Sequence, residues 1–286
     1  MRGGEKVLLS LARMFPSAPI HTLLHVRGSL DPELEQRDIR TTFVQGLPGV
    51  ARHYRKYLPL FPAAAASIDV SGYDLVISSS HCVAKGVKRA LGATHVCYCH
   101  TPMRYVWDRY DDYFGGDRVT PVARPLIAFA ARRLRAWDVA TAPRVDHFAA
   151  NSAYVAARIR RYYGRASTVI PPPVDTDFFT PAAGAASSGA YDLVVSALVP
   201  NKRLDLVIDA YRGGSVPVRI VGTGPEEKHL RAKAGPEVTF LGRVDDDELR
   251  DLYRGCRALI LPNVEDFGIS AVEAMACGRP VVVFAE

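Results

Sequence analysis

The chain has 286 residues, 48% of them hydrophobic, which allows two domains of ordinary size with buried cores and excludes general disorder. A formal charge of +6 suits a polyanionic ligand or an anionic membrane surface. Five scattered cysteines argue against a disulfide framework, and the apolar stretch 121–131 is too short, and too interrupted by Arg124 and two prolines, to span a membrane.

In chain order, Met1-Arg2-Gly3-Gly4-Glu5 reads as a glycine-rich turn entering a helix with Val7, Leu8, Leu11 and Met14 on one face. Glu5, Lys6 and Arg13 interrupt any signal-peptide core, so the expected location is the cytoplasm, at the inner face of the plasma membrane. In a parallel α/β domain such a turn follows a strand. None precedes it here, so either the first strand is missing or the turn is a terminus. Strands are expected at 20–25 and 39–44, then a basic helical region at 51–57. A central buried strand at 73–80 leads into a helix through Leu91, and 94–99 forms the next strand, delivering His100 into a loop. A long helix at 125–139 carries Arg132, Arg133 and Arg135. A strand at 146–150 precedes a helix capped by Ser152 and ended by Gly164.

The stretch 181–189, rich in Ala, Ser and Gly, reads as a linker. The expected division is an amino-terminal domain over 1–173, a hinge over 174–190 and a carboxyl-terminal domain over 191–286. In the last, strands are expected at 193–198, 218–221, 238–241, 258–261 and 281–284, with helices between them that include an acid-started one at 245–256. The expected fold class is α/β, built as two facing Rossmann-like domains with parallel sheets.

The most informative stretch runs from Pro262 to Pro280. It is a loop and short helix between two apolar strands, and ligands bind where such loops leave the carboxyl ends of parallel strands. Glu265 and Glu273 stand eight residues apart, and the amides of Phe267, Gly268 and Ile269 fall at the helix start, where a phosphate is favoured. The competing reading is a capping box in which Glu273 reaches back to the amide of Ser270. His100 is either a loop histidine satisfied by its neighbours or a group at the reacting centre. Lys202, on a strand-to-helix turn, either neutralises a phosphate or is a solvated lysine.

Val221-Gly222-Thr223-Gly224-Pro225-Glu226 begins like a dinucleotide fingerprint but lacks the third glycine. Asp175-Thr176-Asp177 suits a turn or cap better than a metal–diphosphate clamp, and Cys97, Cys99 and His100 lack a second ligand pair at zinc-like spacing. The arginines at 158, 160, 161 and 165 form a solvated face or a membrane patch. No Gly-x-Ser-x-Gly elbow and no Walker loop occurs, which removes the common hydrolase and nucleoside-triphosphatase readings.

Together these pieces resemble the retaining glycosyltransferases of family 4 (glycosyl transferases group 1), which share the GT-B fold. The resemblance covers essentially the whole chain. It rests on Arg2-Gly3-Gly4-Glu5-Lys6, the loop His100 to Asp108, Asn151-Ser152, Pro172-Pro173-Val174-Asp175, Lys202-Arg203, the 221–226 turn, Phe240-Leu241-Gly242-Arg243 and the Glu265-to-Glu273 stretch. Within the group the chain is most similar to mannosyltransferases of bacterial surface-polysaccharide synthesis. The resemblance implies transfer of a hexose, mannose from GDP-mannose, to a saccharide or lipid-linked acceptor, with retention and with neither metal nor cofactor. It places His100 and Glu265 at the donor sugar, Lys202 and the Phe267–Ile269 amides on the diphosphate, and Glu273 on the ribose. Phe240 and Leu241 would flank the base, Gly222 and Gly224 would line the donor side, and Gly3 and Gly4 would let the amino domain approach the phosphates or acceptor.

The chain departs from the family pattern at Ala197, where relatives often carry arginine, and it lacks their first strand and their carboxyl-terminal helices. A truncated chain is therefore expected, and a non-catalytic remnant that binds nucleotide sugar is the first rival reading. Another GT-B enzyme, a phosphorylase or sugar-nucleotide epimerase, is the second. No nucleic acid is expected as a partner.

Overall fold

Two runs of alternating strands and helices define the architecture, and the computed structural model describes residues 3–115, 119–183 and 189–284. The chain divides into two compact units, Met1–Pro173 and Val174–Glu286. Met1 and Arg2 of the opening turn, and residues 184–188 of the expected linker, lie outside the described residues.

The amino unit opens with helix α1 (Gly3–Met14), strand β1 (Ile20–Thr22), helix α2 (Pro32–Glu35) and strand β2 (Ile39–Thr41). Helices α3 (Val50–His53) and α4 (Phe61–Ala66) precede strands β3 (Leu75–Ser80) and β4 (Thr94–Cys99). Then come helices α5 (Tyr110–Phe114) and α6 (Arg124–Thr141), strand β5 (His147–Ala150), helix α7 (Ala153–Tyr163) and strand β6 (Thr168–Val169). Strands β3-β4-β5-β6 form one parallel sheet, and β1-β2 form a separate parallel pair. The register aligns Ser80 with Cys99 and Cys99 with Ala150, so His100 and Asn151 leave the sheet at one level.

Several local expectations give way to packing. The helix expected through Leu91 is a single 3-10 turn, Ala84–Gly86. Lys85 turns inward to Asp138, and Gly86 lies flush on the Trp137 ring, where a Cβ would collide with the indole. The first strand stops at Thr22. The second stops at Thr41 because Thr42 accepts from the Val44 amide (3.3 Å) and starts a 3-10 turn instead. The basic region is helical only through His53 and continues as a 3-10 turn containing Pro59. Helix α1 buries Val7, Leu9 and Ala12, leaving Met14 exposed. Cys97 and Cys99 are buried with Val145 and Phe148 in one apolar cluster.

In the carboxyl unit the elements are β7 (Tyr191–Val195), α8 (Leu204–Tyr211), β8 (Val218–Val221), α9 (Glu227–Lys233), β9 (Val238–Gly242), α10 (Asp246–Gly255), β10 (Cys256–Leu261), α11 (Ile269–Ala276) and β11 (Val281–Val283). The parallel order is β11-β10-β7-β8-β9. The chain therefore winds one way from β7 and the other way from β10, which makes the gap beyond their carboxyl ends the topological switch point. One sheet face packs α8 and α9 around Val194, Ile208 and Ile220. The other packs α10 and α11 around Leu193, Tyr253 and Leu259. Residues expected as hinge are part of this unit: Phe179 is buried in its core, and Thr180 accepts from Arg254 through its carbonyl (2.8 Å) and hydroxyl (2.9 Å).

Candidate active site

The loops after β7 and β10 meet at the switch point of the carboxyl unit. After β7 the chain makes a 3-10 turn, Pro200–Lys202, and then Arg203 takes a left-handed conformation at φ 50°, the only non-glycine residue with positive φ among the described residues. Arg203 is held by Asp205 at 3.2 Å. Lys202 meets Glu265 in the loop after β10 as an ion pair between half-buried side chains. Asn263 Nδ2 donates to the same carboxylate at 3.2 Å and to the Val264 carbonyl at 2.9 Å. Gly268, left-handed at φ 83°, lies against Glu265 and starts α11 as its cap residue.

Glu273 is buried in α11, only 4% exposed. The Tyr253 hydroxyl donates to its Oε2 at 2.9 Å. Burial first, and then the carboxylate's charge, hold the phenol well above its ordinary pKa, so it stays a donor. The helix begins at Ile269 with Gly268 as its cap, so the capping box centred on Ser270 does not form.

The remaining predicted donor residues separate. Gly222 and Gly224 are required by backbone contact, since a Cβ on either would collide with the carbonyl of Ser196 or Leu198. Hydrogen bonds lock the two loops there: Ser196 N to Val221 O and Leu198 N to Thr223 O, both 3.0 Å. The Gly222 amide donates to Gly242 O at 2.7 Å. These glycines hold the Lys202 loop in place. Phe240 and Leu241 fall on opposite sheet faces: Phe240 packs with Ile220 beneath Arg231, and Leu241 packs with the cluster around Tyr253. Their side chains therefore do not form one base-flanking pair. Asp175 Oδ1 accepts from the Phe178 amide at 2.9 Å, a turn cap. Among the described residues no group of three or more His, Cys, Asp or Glu side chains is placed to hold a metal ion.

In the amino unit, His100 follows β4. Its Nε2 shares a 2.8 Å hydrogen bond with Ser79 Oγ, and its ring meets Tyr98 edge-on at 5.2 Å. Asn151 Nδ2 donates to its carbonyl at 3.0 Å. Gly4 lies over the ring, with room for a Cβ at 3.6 Å from Nε2, and Gly3 shares that helical turn. Burial lowers the His100 pKa to about 4, with a further contribution from His81, so the ring is neutral at neutral pH. The following loop is pinned by Arg158, which is buried and reaches Thr101, Asp108 and the Pro102 carbonyl. Arg158 is thus neither solvated nor a membrane contact. Arg165 likewise donates to the carbonyls of Ala142 and Val145, at 3.0 and 2.8 Å.

Sequence reasoning missed Ser79, Asn263, Tyr253 and the buried pair Lys85–Asp138. That pair is 2.9 Å apart, and Asp138 also accepts from Trp107 (2.8 Å) and Tyr163 (2.9 Å). One signal was available for Ser79: three serines in a row end an otherwise apolar strand. All three make polar contacts, for Ser78 bonds His95, Ser79 bonds His100, and Ser80 accepts from the Lys85 amide.

A model described as Glycosyltransferase Family 4 matches residues 1–178, and one described as Glycosyl transferases group 1 matches residues 177–286. The chain is 37% identical over 97 residues to the D-rhamnosyltransferase WbpZ of Pseudomonas aeruginosa, covering 32% of this chain and 26% of that protein. It is 41% identical over 93 residues to the phosphatidyl-myo-inositol mannosyltransferase of Mycobacterium leprae, covering 29% and 25%. To the D-inositol 3-phosphate glycosyltransferase of Geodermatophilus obscurus it is 30% identical over 201 residues, covering 59% and 42%. The matches thus span less than half the length of these relatives. Among solved structures, Anabaena Alr3699/HepE in complex with UDP and glucose superposes with a TM-score of 0.68 at 19% identity, covering 99% of this chain and 77% of that one. At that identity the likeness shows the fold alone, the GT-B pairing of two Rossmann-type domains.

Proposed function

The chain belongs to glycosyltransferase family 4, and from that premise we propose that it transfers a hexose, mannose from GDP-mannose, to a saccharide or lipid-linked acceptor with retention of configuration. The observation that carries the reading is the meeting of Lys202 and Glu265 at the switch point, beside the start of α11 at Gly268. That arrangement suits a nucleoside diphosphate-sugar, because a cation and aligned amides favour the two phosphates.

In this proposal Glu273 binds the ribose hydroxyls from its buried position, oriented by Tyr253. The donor's diphosphate takes over Lys202 from Glu265, which frees the Glu265 carboxylate to hold the sugar hydroxyls. As the glycosidic bond breaks, charge grows on the leaving diphosphate, and Lys202 with the α11 amides stabilises it. His100, neutral and tied to Ser79, serves the donor sugar as a hydrogen-bonding group and not as a cation. The proposal assigns no metal, since the positive field at the phosphates comes from the chain itself. One relative supports the sugar assignment by what it is called, a mannosyltransferase. A structural neighbour holding UDP and glucose supports a nucleotide site in this fold.

The test is calorimetric titration of the purified chain with GDP, UDP, GDP-mannose and UDP-glucose, followed by a transfer assay with the donor that binds. Binding by a guanine nucleotide that Glu273→Ala removes, with mannose transfer retaining the anomeric configuration, is the expected result. If none of the four ligands binds, the donor-site reading falls. Binding without transfer to any saccharide or lipid-linked acceptor leaves a nucleotide-sugar-binding protein and overturns the catalytic assignment.

A further inference from the structure

The outward face of α6 breaks the usual rule for a surface helix. Val122, just before it, is 90% exposed, and Leu126 and Phe129 are 71% and 56% exposed. Steps of four and three residues place them in one stripe, continued by Arg133, Ala136 and Ala140 and flanked by Arg132 and Val139. The opposite stripe, Ala131, Leu134, Asp138 and Thr141, is buried, so the exposed apolar residues are not core positions.

The charge pattern is equally one-sided. The acidic residue of α6, Asp138, is buried against Lys85, so the outward face carries arginine and no carboxylate. The first turn holds Arg124 and no acid, against the preference of a helix amino terminus for negative charge. The Arg133 guanidinium lies over the Phe129 ring at 5.2 Å, a cation carried directly above an apolar group. Beneath α6, Tyr54, Tyr57 and Leu58 pack into the cluster that holds its buried Ala131 and Leu134, so the buried stripe has its partners within the unit. Among the described residues no helix is long and apolar enough to cross a membrane.

We propose that α6 lies in the plane of an anionic lipid bilayer, with Val122, Leu126 and Phe129 in the acyl boundary and Arg132 and Arg133 among the lipid phosphates. A helix face with an apolar stripe and cations on its flanks matches the layering of a bilayer surface. A protein partner would need a groove lined with acids, and a second copy of this face would set arginine against arginine. The inference concerns a surface outside the donor site, and its readout needs no turnover.

The test is co-sedimentation of the whole chain with vesicles of phosphatidylcholine alone and of phosphatidylcholine with phosphatidylglycerol. Binding to the anionic vesicles only, weakening as salt rises, is expected. The double substitution Leu126→Asp with Phe129→Asp should lower that binding at least tenfold, and Arg132→Ser with Arg133→Ser should remove the preference for phosphatidylglycerol. Leu91→Asp, at a fully exposed leucine elsewhere, should leave binding unchanged. Circular dichroism and thermal unfolding of each variant separate lost binding from lost fold. The proposal is overturned if the parent ignores both vesicle types, or if Leu126→Asp with Phe129→Asp binds as the parent does. It is also overturned if sedimentation reveals a dimer of the parent that this double variant dissolves, with no vesicle binding by either.

Discussion

Lys202 and Glu265, 63 residues apart, form an ion pair where the loops after β7 and β10 meet. In the proposed reading each serves a different part of a nucleotide sugar, and here the two charges neutralise each other. A donor entering it exchanges one partner of Lys202 for another, which keeps a cation from being left alone in a half-buried pocket.

Lys202→Ala is expected to weaken GDP and UDP binding at least tenfold while leaving guanosine and uridine binding little changed. The folded chain should lose only about 0–1 kcal/mol, because the pair is partly solvated. Calorimetry with nucleosides and nucleotides side by side, together with urea unfolding, checks both parts. Equal losses for nucleoside and nucleotide would remove Lys202 from the phosphates.

Tyr253→Phe strips the buried Glu273 carboxylate of a hydrogen bond and should cost about 1–3 kcal/mol in urea unfolding. If the hydroxyl orients Glu273 toward ribose, the variant binds ribonucleotides more weakly but binds 2′,3′-dideoxy analogues as the parent does. A uniform loss across both ligand types would mean a structural role alone.

Gly222→Ala and Gly224→Ala place a methyl group against a main-chain carbonyl, and Gly222 also sits at φ 131°. Each should destabilise the chain by about 2–4 kcal/mol. Gly28→Ala has open space and only an unfavourable φ of 77°, so about 1–2 kcal/mol is expected there. Thermal unfolding of the three variants gives the order directly, and a reversed order would refute the backbone-contact account.

His100 has its pKa lowered by burial to about 4, from an ordinary value of 6.5. Above pH 6.5 both the folded and unfolded chain hold it neutral, and its contribution to stability is fully present. As pH falls from 6.5 toward 4 the unfolded chain takes up the proton and the folded chain does not, so stability declines and then levels off. The loss is at most about 3 kcal/mol. His100→Asn should flatten unfolding free energy between about pH 6.5 and 5, a window above the lowered carboxylates Glu33, Glu35 and Asp69. An unchanged slope would show that His21 and His95, also lowered by burial, dominate instead.

Asp138→Ala leaves Lys85 buried without its carboxylate and removes the acceptor of Trp107 and Tyr163. A cost of about 3–5 kcal/mol is expected. Lys85→Met combined with Asp138→Leu should recover much of it, since an apolar pair of similar volume needs no desolvation. Urea unfolding of the single and double variants distinguishes the two outcomes.

What the sequence determined by itself is local. The strand Thr94–Cys99, and the helix between the Ser152 cap and the left-handed Gly164, follow from side-chain period and end chemistry that act within a few residues. The two β/α runs, the Glu265–Glu273 stretch and the place of Lys202 on a strand-to-helix turn were legible for the same reason. Tertiary structure decided which groups meet and which are hidden. Arg158 reads as part of a solvated face or a membrane patch until Asp108 receives it, and the helix expected after β3 fails because Lys85 and Gly86 answer to Asp138 and Trp137. Tyr253 reads as a core tyrosine until Glu273 arrives beneath its hydroxyl. The need for glycine at 222 and 224 comes from the Ser196 and Leu198 carbonyls that lie against them. Burial and partner choice depend on chain segments tens of residues away, and only the assembled sheets bring those segments together.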